Sequence, residues 1–287
     1  MRSFRADGLE FPVTDTGPRN GTPVVLLHGF PAGPACWSPV ARVLTAAGLR
    51  TLSPLQRGYA PGARPGRARD YRLPLLAGDV LALLDAAGLD RAHIVGHDWG
   101  GAVAWALAER APARVASLTA VSMPHPRALG RAALTSRQAL LSWYLLFFQL
   151  PRLPEAVVTH NQGRTGARWL CRFGLDEATA LGYARRFVTD RPSLTGALGW
   201  YRALPLDLRS GLRTGPGTVP TMLVWGTADA VISARSAWLT RRWVTGPYSF
   251  RPLAGATHWL PEQNADVLAE LILQHTEAFP VGAADPL

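Results

Sequence analysis

The chain has 287 residues, 48% of them hydrophobic, which suits one large α/β domain with an inserted piece and excludes a disordered or fibrous protein. Its formal net charge is +10, yet every basic residue is arginine and no dense basic run with interleaved aromatics occurs, so the excess reads as compositional bias and no nucleic-acid partner is expected. Cys36 and Cys171 lack metal-ligand spacing and residues 1–13 hold no signal-like apolar run, so a cytoplasmic protein without a metal or organic cofactor is expected.

Residues 3–15 read as a hairpin leading to Val24-Val25-Leu26-Leu27, an apolar run of the kind buried in a parallel sheet. His28-Gly29-Phe30-Pro31 follows directly, and a glycine-containing turn past a strand leaves backbone N–H groups pointing into a cleft. Residues 36–47 have helical spacing, 50–55 read as a strand, 57–69 as an exposed loop rich in Gly, Pro and Arg, and 75–87 as an apolar helix. A short strand at 93–95 enters Gly96-His97-Asp98-Trp99-Gly100-Gly101, a helix at 102–110 leaves it, and 115–122 supplies another strand. Strand and helix alternate, which predicts a mostly parallel sheet covered on both faces.

From 127 to 216 the pattern changes to aromatic-rich segments of helical period without a convincing strand, carrying thirteen arginines between Arg127 and Arg213 against Glu155, Asp176, Glu177, Asp190 and Asp207. This predicts a helical lid at 127–216 inserted into a core made of 1–126 and 217–287. The most apolar stretch, 139–150, is too short to span a bilayer, so it is expected as a buried or site-lining helix, and no stable membrane association is expected. Strand character returns at 221–225 and 248–253, followed respectively by Asp229 and by His258-Trp259, with helices expected at 234–243 and 262–278 and a mobile tail after Phe279.

Asp98 therefore falls at a strand-to-helix turn, flanked by small residues that allow a tight bend, as in a nucleophile elbow. A carboxylate attacking a carbonyl would give an anhydride, whereas attack on a saturated carbon gives an ester that water can cleave. Epoxides and alkyl halides are the substrates that fit; a simple helix N-cap is the alternative. Asp98, Asp229 and His258 each follow a separate strand, in the order nucleophile, acid, histidine. Backbone amides of Phe30 and Trp99 are the expected oxyanion donors.

With those residues in place, the chain resembles the α/β-hydrolase superfamily over nearly its whole length, and within it the soluble epoxide hydrolases with an α-helical cap. The resemblance rests on His28-Gly29-Phe30-Pro31, the turn around Asp98, Asp229, His258-Trp259, and two segments of the insertion, 142–151 and Gly199-Trp200-Tyr201-Arg202. It implies the α/β-hydrolase fold, with a mostly parallel central sheet covered by helices and an inserted α-helical cap. It also implies that Tyr144 and Tyr201 hold and protonate an epoxide oxygen, and that His28, Pro31, Trp143, Phe147, Phe148, Trp200 and Trp259 bind a lipophilic or aromatic epoxide. Leu55 stands where relatives often carry an acidic residue. The implied assembly is a monomer or homodimer. Haloalkane or haloacid dehalogenation with the same nucleophile, and non-catalytic binding of a hydrophobic ligand, are the alternatives; Phe30, where dehalogenases commonly carry an Asn donor, speaks for the epoxide.

Overall fold

The computed structural model describes residues 1–209 and 217–282. Its strands are β1 (Ser3–Ala6), β2 (Leu9–Thr16), β3 (Pro23–Leu27), β4 (Arg50–Pro54), β5 (Ala92–His97), β6 (Val115–Val121), β7 (Thr221–Gly226) and β8 (Tyr248–Leu253). They form one sheet in the order β1-β2-β4-β3-β5-β6-β7-β8. β2 pairs antiparallel with β1 and β4, and every later pair is parallel.

The period-two alternation of a strand sorts the core into two layers. Val25, Leu27 and Ile94 face the helices Leu73–Ala86 and Trp99–Arg110, packing with Leu83, Val103 and Leu107. Val24, Leu26 and Val95 face the helices Ser38–Ala46 and Ala265–Ala278, packing with Val40, Leu44, Leu268 and Ile272. Both faces of the central strands are thus dry, which is why β3, β5 and β6 are buried at every position. Each fully buried Val, Leu or Ile contributes about 1.5–3 kcal/mol.

Between β6 and β7 the described residues form seven helices, from Pro126–Thr135 to Arg191–Arg209, and no strand. The end of the expected insertion, with Arg213, and the last residues of the tail lie outside the described residues. No helix among the described residues is long and apolar enough to cross a membrane.

Three expectations are corrected. The loop at 57–69 is largely buried at its start, because the Arg57 guanidinium is satisfied by Asp79 at 2.8 and 2.6 Å and by the Asp70 carbonyl, drawing Tyr59, Ala60 and Ala63 inward. The stretch 139–150 lines the site through Tyr144 and Phe148 as expected, but it is not one helix: it breaks into Gln138–Leu141 and Tyr144–Phe147, and Leu140 and Leu146 are exposed. The last helix is two pieces, Leu260–Gln263 and Ala265–Ala278.

Candidate active site

Asp98 sits between β5 and the helix Trp99–Arg110 with φ +51°, a backbone conformation that strains any residue but glycine and persists only where the surroundings enforce it. Here close backbone packing does so. A Cβ on Gly100 would lie 2.2 Å from the Leu27 carbonyl oxygen, and one on Gly96 2.2 Å from that of Gly100. A Cβ on Gly29 would lie 2.5 Å from the Asp98 side chain. The Asp98 carboxylate makes no cap bond to its own helix. It turns into the cleft, where Oδ1 accepts the Phe30 N–H at 2.9 Å.

The carboxyl ends of β5, β7 and β8 bring the other charged groups to the same place. His258 Nε2 is 3.6 Å from Asp98 Oδ2, and its Nδ1 donates to Asp229 Oδ2 at 2.9 Å. Asp229 Oδ1 accepts the N–H groups of Val231 and Ile232 at 2.7 and 2.8 Å, which fixes the carboxylate that orients the ring. Burial opposes charge on His258, but Asp229 and then Asp98 outweigh it and lift the imidazole to about 10. Burial likewise opposes the Asp98 anion, yet His258, His97 and the Trp99 amide hold it below the usual carboxylate range. The raised value keeps the His258 imidazole protonated at neutral pH, beside the Asp98 anion.

Two phenols line the same cavity as the histidine. Tyr201 is buried, its ring 5.0 Å from Trp99, 5.4 Å from Phe30 and 6.2 Å from Tyr144. Burial, reinforced by the negative charge of Asp98, raises both phenols far above their ordinary value, so both stay neutral donors.

Phe30, Asp98, Tyr144, Phe148, Tyr201, His258 and Trp259 line one cavity of about 50 Å³, room for a few waters. Other expected contacts are not in its wall. His28 is fully buried behind it, its Nε2 accepting the Gln56 N–H and its main-chain carbonyl the Gln56 side chain; burial depresses its pKa to about 3. Trp200 turns away and donates its indole N–H to the Arg57 carbonyl at 2.8 Å. Trp143 is half exposed, and Phe147 packs on Trp169 at 5.5 Å. Pro31 lines a smaller neighbouring cavity that shares Phe30, Trp169 and Leu170.

Residues not singled out from the sequence complete the site. Trp169, Leu170, Phe173 and Val231 finish the cavity wall. His97 Nε2 and Ser122 Oγ both hold the His258 carbonyl, at 2.9 and 3.0 Å. His97 lies inside the glycine-rich turn around Asp98, and Trp169 and Phe173 are four apart in sequence, so each left a trace that only a known helix orientation would have resolved. Among the described residues, no group of three His, Cys, Asp or Glu side chains is placed to hold a metal ion.

The alpha/beta hydrolase fold family matches residues 22–265. The chain belongs to that family. It is 33% identical over 278 residues to the AB hydrolase superfamily protein YfhM of Bacillus subtilis, covering 94% of this chain and 95% of the relative. It is 30% identical to human Epoxide hydrolase 4 (94% and 76% covered) and 29% identical to Epoxide hydrolase A of Mycobacterium tuberculosis (95% and 96%). Among solved structures, Epoxide Hydrolase A from Mycobacterium thermoresistibile matches with a TM-score of 0.83 at 28% identity, covering 96% of this chain and 97% of that one. An epoxide hydrolase from Bacillus megaterium complexed with its product, a naphthyloxy-propanediol, shares the fold with a TM-score of 0.83 at 22% identity, covering 96% and 99%. This member of the family is epoxide hydrolase-like in sequence and in architecture.

Proposed function

We propose that the protein hydrolyses a lipophilic epoxide to a vicinal diol through a covalent ester on Asp98, with residues 127–216 acting as the lid over a hydrolase core. The observation that carries this reading is one apolar cavity lined at once by a buried carboxylate, by the imidazole of an imidazole–carboxylate pair beside it, and by two neutral phenols. The names of its relatives point the same way. Opening an epoxide expels an alkoxide, a poor leaving group that needs a proton, and neutral phenols supply one. A halide leaves without that help.

Asp98 Oδ2 attacks an epoxide carbon, the C–O bond breaks, and Tyr144 and Tyr201 donate to the departing oxygen. Solvent restores the proton that the phenols give up, and the resting His258 imidazolium releases its own proton to solvent, which leaves His258 neutral. Esterification also removes one of the two anions that held that proton, so the ring becomes a base. His258, oriented by Asp229, then takes a proton from water as the water attacks Asp98 Cγ. The negative charge that develops on Oδ1 is held by the Phe30 and Trp99 amides through the tetrahedral stage. The bond from Cγ to Oδ2 breaks as the proton left on the added hydroxyl passes to Oδ2, so the diol leaves with Oδ2 and the carboxylate and imidazolium are restored. A cavity of about 50 Å³ requires the lid side chains to part before an aromatic substrate enters.

The test is His258→Gln incubated with styrene oxide. The folded variant should gain the mass of one epoxide on the peptide containing Asp98 and retain it. A folded variant that gains no mass while the wild-type protein turns over would overturn the covalent order.

A further inference from the structure

We propose that the outer face of residues 137–152 docks reversibly on an anionic lipid bilayer. This segment winds as nearly continuous turns: the N–H groups of Leu141, Trp143, Leu146 and Leu150 bond the carbonyls of Arg137, Leu140, Trp143 and Phe147. In such winding, positions three or four apart share a face. Arg137, Leu140, Trp143, Leu146 and Leu150 thus form one stripe, and all five are exposed, Leu140 by 76%, Trp143 by 49% and Leu146 by 78%. The inward side of the same segment carries Tyr144 and Phe148 into the cavity. A contiguous apolar stripe facing water marks an interaction surface.

Charge selects the partner. From 111 to 154 the chain has no acidic residue, and Arg131, Arg137 and Arg152 are exposed without an ion pair among the described residues. A two-fold contact with a second copy would set Arg137 and Arg152 against the same patch, like charge on like. An anionic headgroup layer neutralises them instead, while Leu140, Trp143 and Leu146 enter the boundary beneath it. The Trp143 ring is 5.4 Å from that of Trp169, a cavity wall, so the docked face lies one aromatic layer from the site.

The experiment is flotation of the full chain with vesicles of phosphatidylcholine alone and with about a third phosphatidylglycerol. Binding is expected only to the anionic vesicles and is lost at roughly 0.5 M salt. Arg137→Gln with Arg152→Gln should weaken it about thirtyfold, near fivefold per arginine. Leu140→Ser with Leu146→Ser should weaken it at least about tenfold, with circular dichroism and thermal midpoint checking that both pairs fold. Absence of wild-type binding to anionic vesicles, or binding that neither pair alters, would overturn the proposal. So would a concentration-dependent dimer that the serine pair abolishes in a protein indifferent to vesicles. The readout needs no turnover, so its failure is distinct from failure of the proposed chemistry.

Discussion

Replacing Asp98 by Asn tests the electrostatic logic of the site, because it removes one of the two anions around His258 while keeping the side chain's size. The distance from Asp98 Oδ2 to His258 Nε2 is 3.6 Å, so at an effective dielectric constant of about 20 the lost attraction is roughly 4–5 kcal/mol. That equals about three pKa units. An imidazole held at about 10 should fall to roughly 7 in the variant, where a general base works best near neutral pH. In the proposed reaction the same loss of charge accompanies esterification of Asp98, so the variant imitates the proposed intermediate. The assay is a pH titration of the His258 ring in nitrogen-15-labelled wild-type and Asp98→Asn proteins. A midpoint that moves by less than about half a unit would refute the reasoning, because Asp229 alone would then be holding the proton.

The phenols and the buried histidines give two further expectations. Tyr144→Phe and Tyr201→Phe should each slow ester formation in single-turnover measurements by on the order of 10²–10³ while leaving hydrolysis of the preformed ester near its wild-type rate; equal slowing of both steps would argue for a packing role. His28, His93, His97 and His275 are held by burial at about 3, 3, 4 and 4, below the ordinary 6.5. The unfolded chain therefore binds more protons below pH 6.5, and stability falls as pH drops from there toward about 4. At pH 5.5 the four together should cost roughly 4–5 kcal/mol relative to pH 7. His258 has a raised pKa, so its stabilisation is nearly complete at pH 7 and gains less than about 1 kcal/mol by pH 5.5, offsetting little of that loss. Urea midpoints that coincide at pH 7 and 5.5 would count against these burial effects.

The strands and the three charged residues at their ends were legible because a buried parallel strand is a short apolar run with a short loop at its carboxyl end. Asp98, Asp229 and His258 each announced themselves by that adjacency. The cavity wall was less legible, since consecutive helical residues point about 100° apart. Tyr144 and Tyr201 face the cavity, so their neighbours Trp143 and Trp200 turn away from it, though all four have the right chemistry for a lipophilic pocket. Burial of Arg57 was hidden for another reason: its partner Asp79 lies on a helix 22 residues away, and no local pattern pairs them. The clamp of His97 and Ser122 on the His258 carbonyl joins three segments far apart in sequence, which only the closed sheet brings together.

The glycines around Asp98 divide the pocket into two kinds of wall. On the side of the proposed chemistry, main-chain atoms of Leu27 and Gly100 stand where a methyl group would have to go, so the carboxylate's position is set by the path of the chain itself. On the far side, Phe148, Trp169, Leu170 and Phe173 bound the cavity. Exchanging those four would reshape which molecules fit while leaving the Asp98 carboxylate where the backbone holds it.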